Sequence, residues 1–499
     1  MENLNIDQRI EVKIKELISL YTLYSSSDLS AHEMEKGLLS SLLSLGYILL
    51  KLIIEKKSRD LEKVVPIPIT EEEKFKSKGL QHRIYLSIFG ELSIYRTGYY
   101  SAIRGSYYEL DSRLDLPSKK LSYNLQSLLG LSSTEQNYRK SVEVVNKLLG
   151  LNLSGTVSQR NAEDLGSLVE NYYDSLEIEK IEEGKKGVCF IAYFDGKGVP
   201  KIQENKKEIR ELKRLGKGEK RGKMQMATVS VSAYFTPKKR DKERIIKGLM
   251  EYAKKKVKEK KENQKDNKKE KDKELNDNKW MEGIHRRAFL ADQARAVEYG
   301  LDYIRDRMTN PLSRFIVPID AGSGLEEKVL KYVQKHKLTK QFDGIVLDII
   351  HVLEYVCEAA NCIFSEKSPQ RINWVKKTLG QLLDSQTKQV IEKLEKIKKE
   401  KFPDKNNKID QVISYFSNHQ HKMDYKKFID KGYPISSALA ESTCGHLVKD
   451  RMEGAGKRWS SKGAQNMMDL RAVSINDDFD SFINFVIEHQ QNNMLKKAA

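Results

Sequence analysis

Three acids stand where apolar runs break off: Asp195 in "YFDGKG", Asp320 in "PIDAGSG" and Asp348 in "VLDIIH". Each run reads as a buried strand, and in open α/β sheets catalytic groups gather where loops leave the C-terminal edges of strands. Taken singly, an acid there most often caps a helix or forms a turn. Three in one region, two of them beside glycine, point further, because glycine lets a substrate phosphate approach the carboxylate closely. Hard carboxylates on neighbouring strands suit Mg²⁺ or Mn²⁺. Two such ions about 4 Å apart can activate a water or a 3′-hydroxyl and stabilise the leaving oxygen in phosphodiester chemistry. Glu441, in "PISSALAESTCGHLVKDRMEG", is the best third carboxylate, about one turn into a helix and followed by His446, Lys449 and Arg451. A solvent-facing surface glutamate is the plain alternative.

The elements that must position these groups fall into five stretches. Residues 1–80 read as helices. Within them "GLLSSLLSLGYILLKLII" (37–54) suggests a buried helix of a soluble protein, because serines, a glycine and Lys51 break it short of the roughly 20 apolar residues of a membrane span. Ser30 and Glu33 just upstream have capping-box spacing. In 81–180, "RIYLSIFGELSIYRTGYY" alternates apolar and polar residues around a glycine, which predicts a β-hairpin. Helices follow it. Ser133 and Gln136 suit the start of one that ends at Gly150, and the turn "LNLSGT" opens another with Gln159, Arg160 and Asn161 exposed. Such a pair fits a helix-turn-helix DNA reader, although helical hairpins are more often packing units.

Strands dominate 181–350: "GVCFIAYFDGKG", "MQMATVSVSAYF", "SRFIVPIDAGSG" and "FDGIVLDIIH". Helical patterns after at least the last two make this an α/β core. The segment 238–279 interrupts it with 18 basic and 10 acidic residues. It reads as a solvated helix or loop with too little apolar content to join the core. Residues 351–430 are helical and lysine-rich, and 431–499 are expected to be C-terminal helices that complete the core.

The whole chain of 499 residues carries 89 Lys and Arg against 71 Asp and Glu, a formal charge of +18. That surplus favours a polyanionic partner. Four cysteines without a CxxC pair do not suggest a disulfide framework or a zinc site. "MENLNIDQRIEVK" has charges where a signal peptide needs an apolar core, so a cytoplasmic protein is expected.

"YFDGKGVP", "VLDIIHVLEYVCEAA", "HKMDYKKFIDKGYPISSALAESTCGHLVKDRMEGAGKRW" and "DLRAVSINDDFDSF" together resemble the ISKra-type insertion-sequence transposases of bacteria. These belong to the DDE group that includes the Mutator-like enzymes. The likeness covers most of residues 80–485. It implies an RNase H-like α/β catalytic core with a helical insertion, here preceded by a mainly helical N-terminal region containing a small β-hairpin. On matching positions Asp195, Asp320 and Glu441 become the ligands of two Mg²⁺ (or Mn²⁺) ions. Asp348-Ile-Ile-His351 fits the family's motif of Cys or Asp, two residues, then His. The expected role is positioning rather than ligation, since His is a poor ligand for Mg²⁺; Asp348 capping a helix above a packed His351 is the structural alternative. One departure stands out: the glycine-containing turn that usually precedes the glutamate reads Ile435-Ser436-Ser437-Ala438 here.

The function so implied is metal-dependent cleavage at the element's ends, followed by transfer of the freed 3′-OH into target DNA. Its partners would be the terminal inverted repeats, the target, and other copies of the chain on DNA. Lys449, Arg451, Lys457 and Arg458 suit phosphate contacts, and Trp459 could stack on a displaced base. The same residues also suit an amphipathic helix with a solvated basic face and a packed Trp. Two further functions remain open: an RNase H-like nuclease or resolvase without strand transfer, and a non-catalytic DNA-binding protein derived from a transposase.

Overall fold

Capping chemistry sets the first long helix. In the computed structural model, Ser30 and Glu33 close a capping box at the start of a helix Ala31–Leu61. The structure describes residues 6–62, 64–68, 73–103, 105–181, 187–202, 224–262, 280–320, 324–365, 368–401, 407–454 and 456–498. They make a mixed α/β protein, 59% helical and 18% strand, with a helical N-terminal region. The chain divides into two units, Met1–Ser175 with Asp477–Ala499, and Leu176–Asn476.

In the first unit α1 (Ile6–Ser25) and α2 (Ala31–Leu61) precede the hairpin β1 (Lys76–Ser87) and β2 (Gly90–Ser101), with a short β3 (Gly105–Tyr107) on its edge. The β1–β2 register runs from Lys76 opposite Tyr100 to Ser87 opposite Gly90. The hairpin therefore begins earlier than its apolar alternation. Ile54 of α2 packs on Leu92 and Ile94 of β2, with Leu110 and Leu116. Among the described side chains of α2, Leu52 and Ile54 alone are fully buried. The expectation of a buried helix is thus corrected: α2 is mostly half-exposed or exposed, and it is long and apolar enough to cross a membrane by length and composition.

After α3 (Glu109–Arg113), three helices cluster: α4 (Tyr123–Glu135), α5 (Tyr138–Leu149) and α6 (Gly155–Gly166). Ser133 lies buried inside α4 and starts no helix; Asn137 caps α5 instead, accepting from Lys140 N. Gly150, at φ 66°, ends α5 as the glycine predicted. Asn146 then ties the turn by exchanging two hydrogen bonds with Leu153. α7 (Val169–Ser175) packs with the last helix, α19 (Phe479–Ala498), through Tyr172, Phe482 and Phe485. That helix belongs to the first unit, so residues 431–499 do not complete the core as one block.

The second unit is built on β4 (Cys189–Pro200), β5 (Met224–Phe235), β6 (Met281–Leu290), β7 (Arg314–Ile319) and β8 (Phe342–Leu347), with α8 (Lys242–Glu262) between β5 and β6. The sheet order is β6-β5-β4-β7-β8. β4, β5 and β6 pair antiparallel, while β7 and β8 join parallel. β6 went unread in the sequence. It bends at a bulge where Gly283 takes φ +55°, and a Cβ there would lie 2.4 Å from the Tyr234 ring. One face of the sheet packs Phe190, Ala192, Phe194, Phe315, Val317 and Ile319 against α9 (Gln293–Arg307) and α10 (Leu325–Lys335).

After β8 come α11 (Ile349–Ile363), α12 (Pro369–Leu383), α13 (Thr387–Lys401), α14 (Asn407–His419) and α15 (Tyr425–Asp430), the helical stretch expected over 351–430. The chain then forms α16 (Ala438–Thr443), a π-helical turn Cys444–Lys449, α17 (Asp450–Met452) and α18 (Ser461–Ile475). Over 238–254, where its side chains are described, the charged segment is only partly solvated. Leu249 and Met250 of α8 are buried, and Lys242 pairs with Asp384 at 2.8 Å. Its first half therefore belongs to the folded unit, against expectation, because two apolar residues about two turns from a charged pair suffice to seat it. Residues 263–279 lie outside the described residues.

Candidate active site

The β4–β7 ladder closes at Phe194 opposite Ile319, so Asp195 and Asp320 are the next residues on two adjacent strands. Phe194 and Ile319 both face the α9–α10 core. Alternation turns the following residues toward the opposite face, with the strands about 4.8 Å apart. Asp195 does not end its strand, as the sequence suggested: β4 continues to Pro200, paired with β5 alone. The acid instead marks the point where β4 and β7 part.

Glu441 arrives from α16, which packs on β4 and β5. Three residues later comes the buried Cys444, whose thiol lies close enough to the Asp195 carboxylate to feel its charge. Burial first, and then the carboxylates of Asp195 and Glu441, hold that thiol far above its ordinary pKa. Glu441 itself is exposed and accepts a hydrogen bond from Tyr252 of α8 at 3.3 Å. Neither Cys444 nor Tyr252 was legible beforehand. A cysteine one turn past a glutamate and a tyrosine in a lysine-rich helix have no distinguishing pattern. Among the described residues no group of three His, Cys, Asp or Glu side chains lies at metal-holding spacing.

Asp348 plays a different part. Its carboxylate, 1% exposed, accepts from Ile350 N at 3.0 Å, Ser437 N at 3.1 Å, Ser437 Oγ at 2.7 Å and His351 Nδ1 at 2.9 Å. It caps α11 and, through Ser437, fastens the turn leading to Glu441. A glycine at 437 could not supply the Oγ–H bond to Asp348. His351 continues the chain, its Nε2 lying 3.6 Å from Asp320 Oδ2. The hydrogen bond to Asp348 raises the His351 pKa to about 9, against the opposing pull of burial, with Asp320 and Glu354 adding to the rise. The protonated ring is thus held between a buried carboxylate and the acid beside Asp195.

The proposed DNA contacts divide. Lys449 and Arg458 are exposed, and so are Gln159 and Arg160 on α6, where Gln159 bonds Glu163 at 2.9 Å. Asn161, expected to be exposed, is buried and donates to Gln126 O. Arg451 is 2% exposed and stacks over the Trp459 ring at 4.8 Å. Trp459 is 8% exposed, and its Nε1 donates to Met452 O. Its backbone bridges to β4 by bonds with Pro200 and Ile202. Arg451 and Trp459 are therefore structural, which removes them as a phosphate contact and a base-stacking platform. Lys457 is half-buried and donates to Arg451 O at 3.0 Å, its pKa lowered first by burial and then by Arg451 and Arg471.

Compared with known proteins, the chain matches no protein-family model and no curated protein.

Proposed function

We propose that the second unit is an RNase H-like core and that the chain is a DNA transposase of the ISKra type, cleaving phosphodiester bonds at element ends and joining the freed 3′-OH to target DNA. The observation that carries this reading is the pair of acids, Asp195 and Asp320, abreast where two parallel strands part. A three-stranded antiparallel run continuing into two parallel strands is the sheet that such a core is built on, and the helix bearing Glu441 packs on the central strands.

The donor chemistry at Asp195, Asp320 and Glu441 is all carboxylate oxygen, which suits a hard divalent cation such as Mg²⁺ or Mn²⁺, although the three side chains do not stand at metal-holding spacing. When bound, such ions supply Lewis-acid activation of the attacking hydroxyl and charge stabilisation at the leaving oxygen. The chain's own groups do the rest. Asp348 holds the end of β8, the start of α11 and the Ser437 turn in one fixed arrangement. His351 orients Asp320, Cys444 orients Asp195, and Tyr252 steadies Glu441. Basic residues such as Lys449 and Arg458 would hold the DNA backbone, and α6 with Gln159 and Arg160 would approach the terminal repeats.

The test pairs titration with Mn²⁺ and a nicking and strand-transfer assay on DNA carrying the inverted repeats that flank the gene. The chain should bind Mn²⁺, nick and join, and Asp195→Asn should lose nicking while keeping DNA affinity. Nicking that survives Asp195→Asn, or no binding of Mn²⁺, defeats the catalytic reading. Cleavage without joining would instead make the protein a nuclease.

A further inference from the structure

One side of α2 is committed to its own unit, with Ile54 packed on the hairpin. Another side carries Glu35, Leu38, Leu42, Leu49, Ile53 and Lys56, which share one face because their spacings of three, four and seven residues match the helical repeat. Leu38 is 41% exposed, Leu42 55% and Ile53 54%. Single exposed leucines are ordinary, but a continuous apolar stripe on a soluble surface marks an interaction site.

The stripe reads the same from both ends apart from the sign of its charge. Laid antiparallel against a second copy with Glu35 opposite Lys56, the same register sets Leu38 opposite Ile53 and Leu42 opposite Leu49. All three pairs are centred between Leu45 and Gly46. A two-fold axis through that point makes the surface complementary to itself, acid to base and apolar to apolar, as an isologous contact requires. The midpoint is not a polar gap. Gly46 leaves room for the Phe89 ring, which a Cβ would meet at 2.5 Å.

We propose that α2 pairs antiparallel with α2 of a second copy through this stripe, so that the chain is a homodimer independently of DNA. A lipid surface is the rival occupant, since α2 has the length and apolarity of a membrane span. Two features favour the second copy. The stripe ends in charges of opposite sign that answer each other across the axis. The reverse face of α2 forms part of the hairpin's core, which insertion into a bilayer would strip away. The proposal stands apart from the catalytic reading and does not depend on it.

Sedimentation velocity of the full chain without DNA should show a dimer. Leu42→Glu, at an exposed position, should raise the dissociation constant more than about tenfold with the circular dichroism spectrum unchanged. Glu35→Lys should weaken the dimer, and Glu35→Lys with Lys56→Glu should restore it, because the charges then answer each other again. A monomer at every concentration overturns the proposal, as does a dimer indifferent to Leu42→Glu. Failure of the double exchange to restore association overturns the register. Flotation with phosphatidylcholine–phosphatidylglycerol vesicles that Leu42→Glu abolishes would assign the stripe to lipid instead.

Discussion

At the scale of single residues, the acids were legible because charge interrupting an apolar run is conspicuous, whereas their supports were not. Cys444 and Tyr252 touch Asp195 and Glu441 only after the chain has folded. Basic character misled in the opposite direction. Arg451 looked like a solvated cation but is buried over Trp459, an arrangement that a linear charge pattern cannot express. Trp459→Ala should therefore cost about 3–5 kcal/mol in a denaturant melt, a loss of folding rather than of base stacking. His351 sits between two carboxylates without an oxygen to offer, so His351→Ala should preserve Mn²⁺ binding by calorimetry. Nicking should fall about 10- to 100-fold, the usual effect of removing a group that orients a ligand. Metal binding lost as completely as in Asp195→Asn would make His351 a ligand.

At the scale of elements, β4, β5, β7 and β8 could be read because each is an apolar run bounded by glycine, acid or turn residues. β6 could not: "MEGIHRRAFL" carries Glu282, His285, Arg286 and Arg287. The strand tolerates them because Arg287 pairs with Asp469 of α18 at 2.7 Å and His285 stacks on Tyr303. Burial, with Arg287, Arg307 and Arg286 nearby, lowers the His285 pKa to about 3. The folded state thus refuses a proton that the unfolded chain accepts below about 6.5. Stability should fall as pH drops from about 6.5 toward 3, and His285→Gln should flatten that dependence in urea titrations. The inserted helix α8 invites a similar test. Leu249 is buried although the inserted segment as a whole is rich in lysine. Leu249→Ala should cost about 2–5 kcal/mol, and an unchanged melting curve would return α8 to the solvent-exposed insertion that its composition suggested.

At the scale of the whole molecule, the proposed function makes the surplus of 18 positive charges the main source of DNA affinity, ahead of any single contact. The logarithm of the binding constant should fall linearly with that of salt concentration, and Lys449→Ala should reduce the slope by about 1. A salt-independent affinity would exclude phosphate contacts as its source. The division into units was the least legible feature, because no composition shift announces that α19 returns to the partners of α4 and α7. Its consequence concerns birth on the ribosome. The first unit is discontinuous in sequence, so Tyr172 emerges without Phe482 and Phe485, which lie some three hundred codons downstream. At 5–20 residues per second that delay is roughly 15–60 s. The second unit, continuous from Leu176 to Asn476, can finish first. A nascent chain therefore carries an unsealed hydrophobic edge through most of its synthesis, and premature termination before Phe482 would yield a finished second unit beside a first unit that never closes.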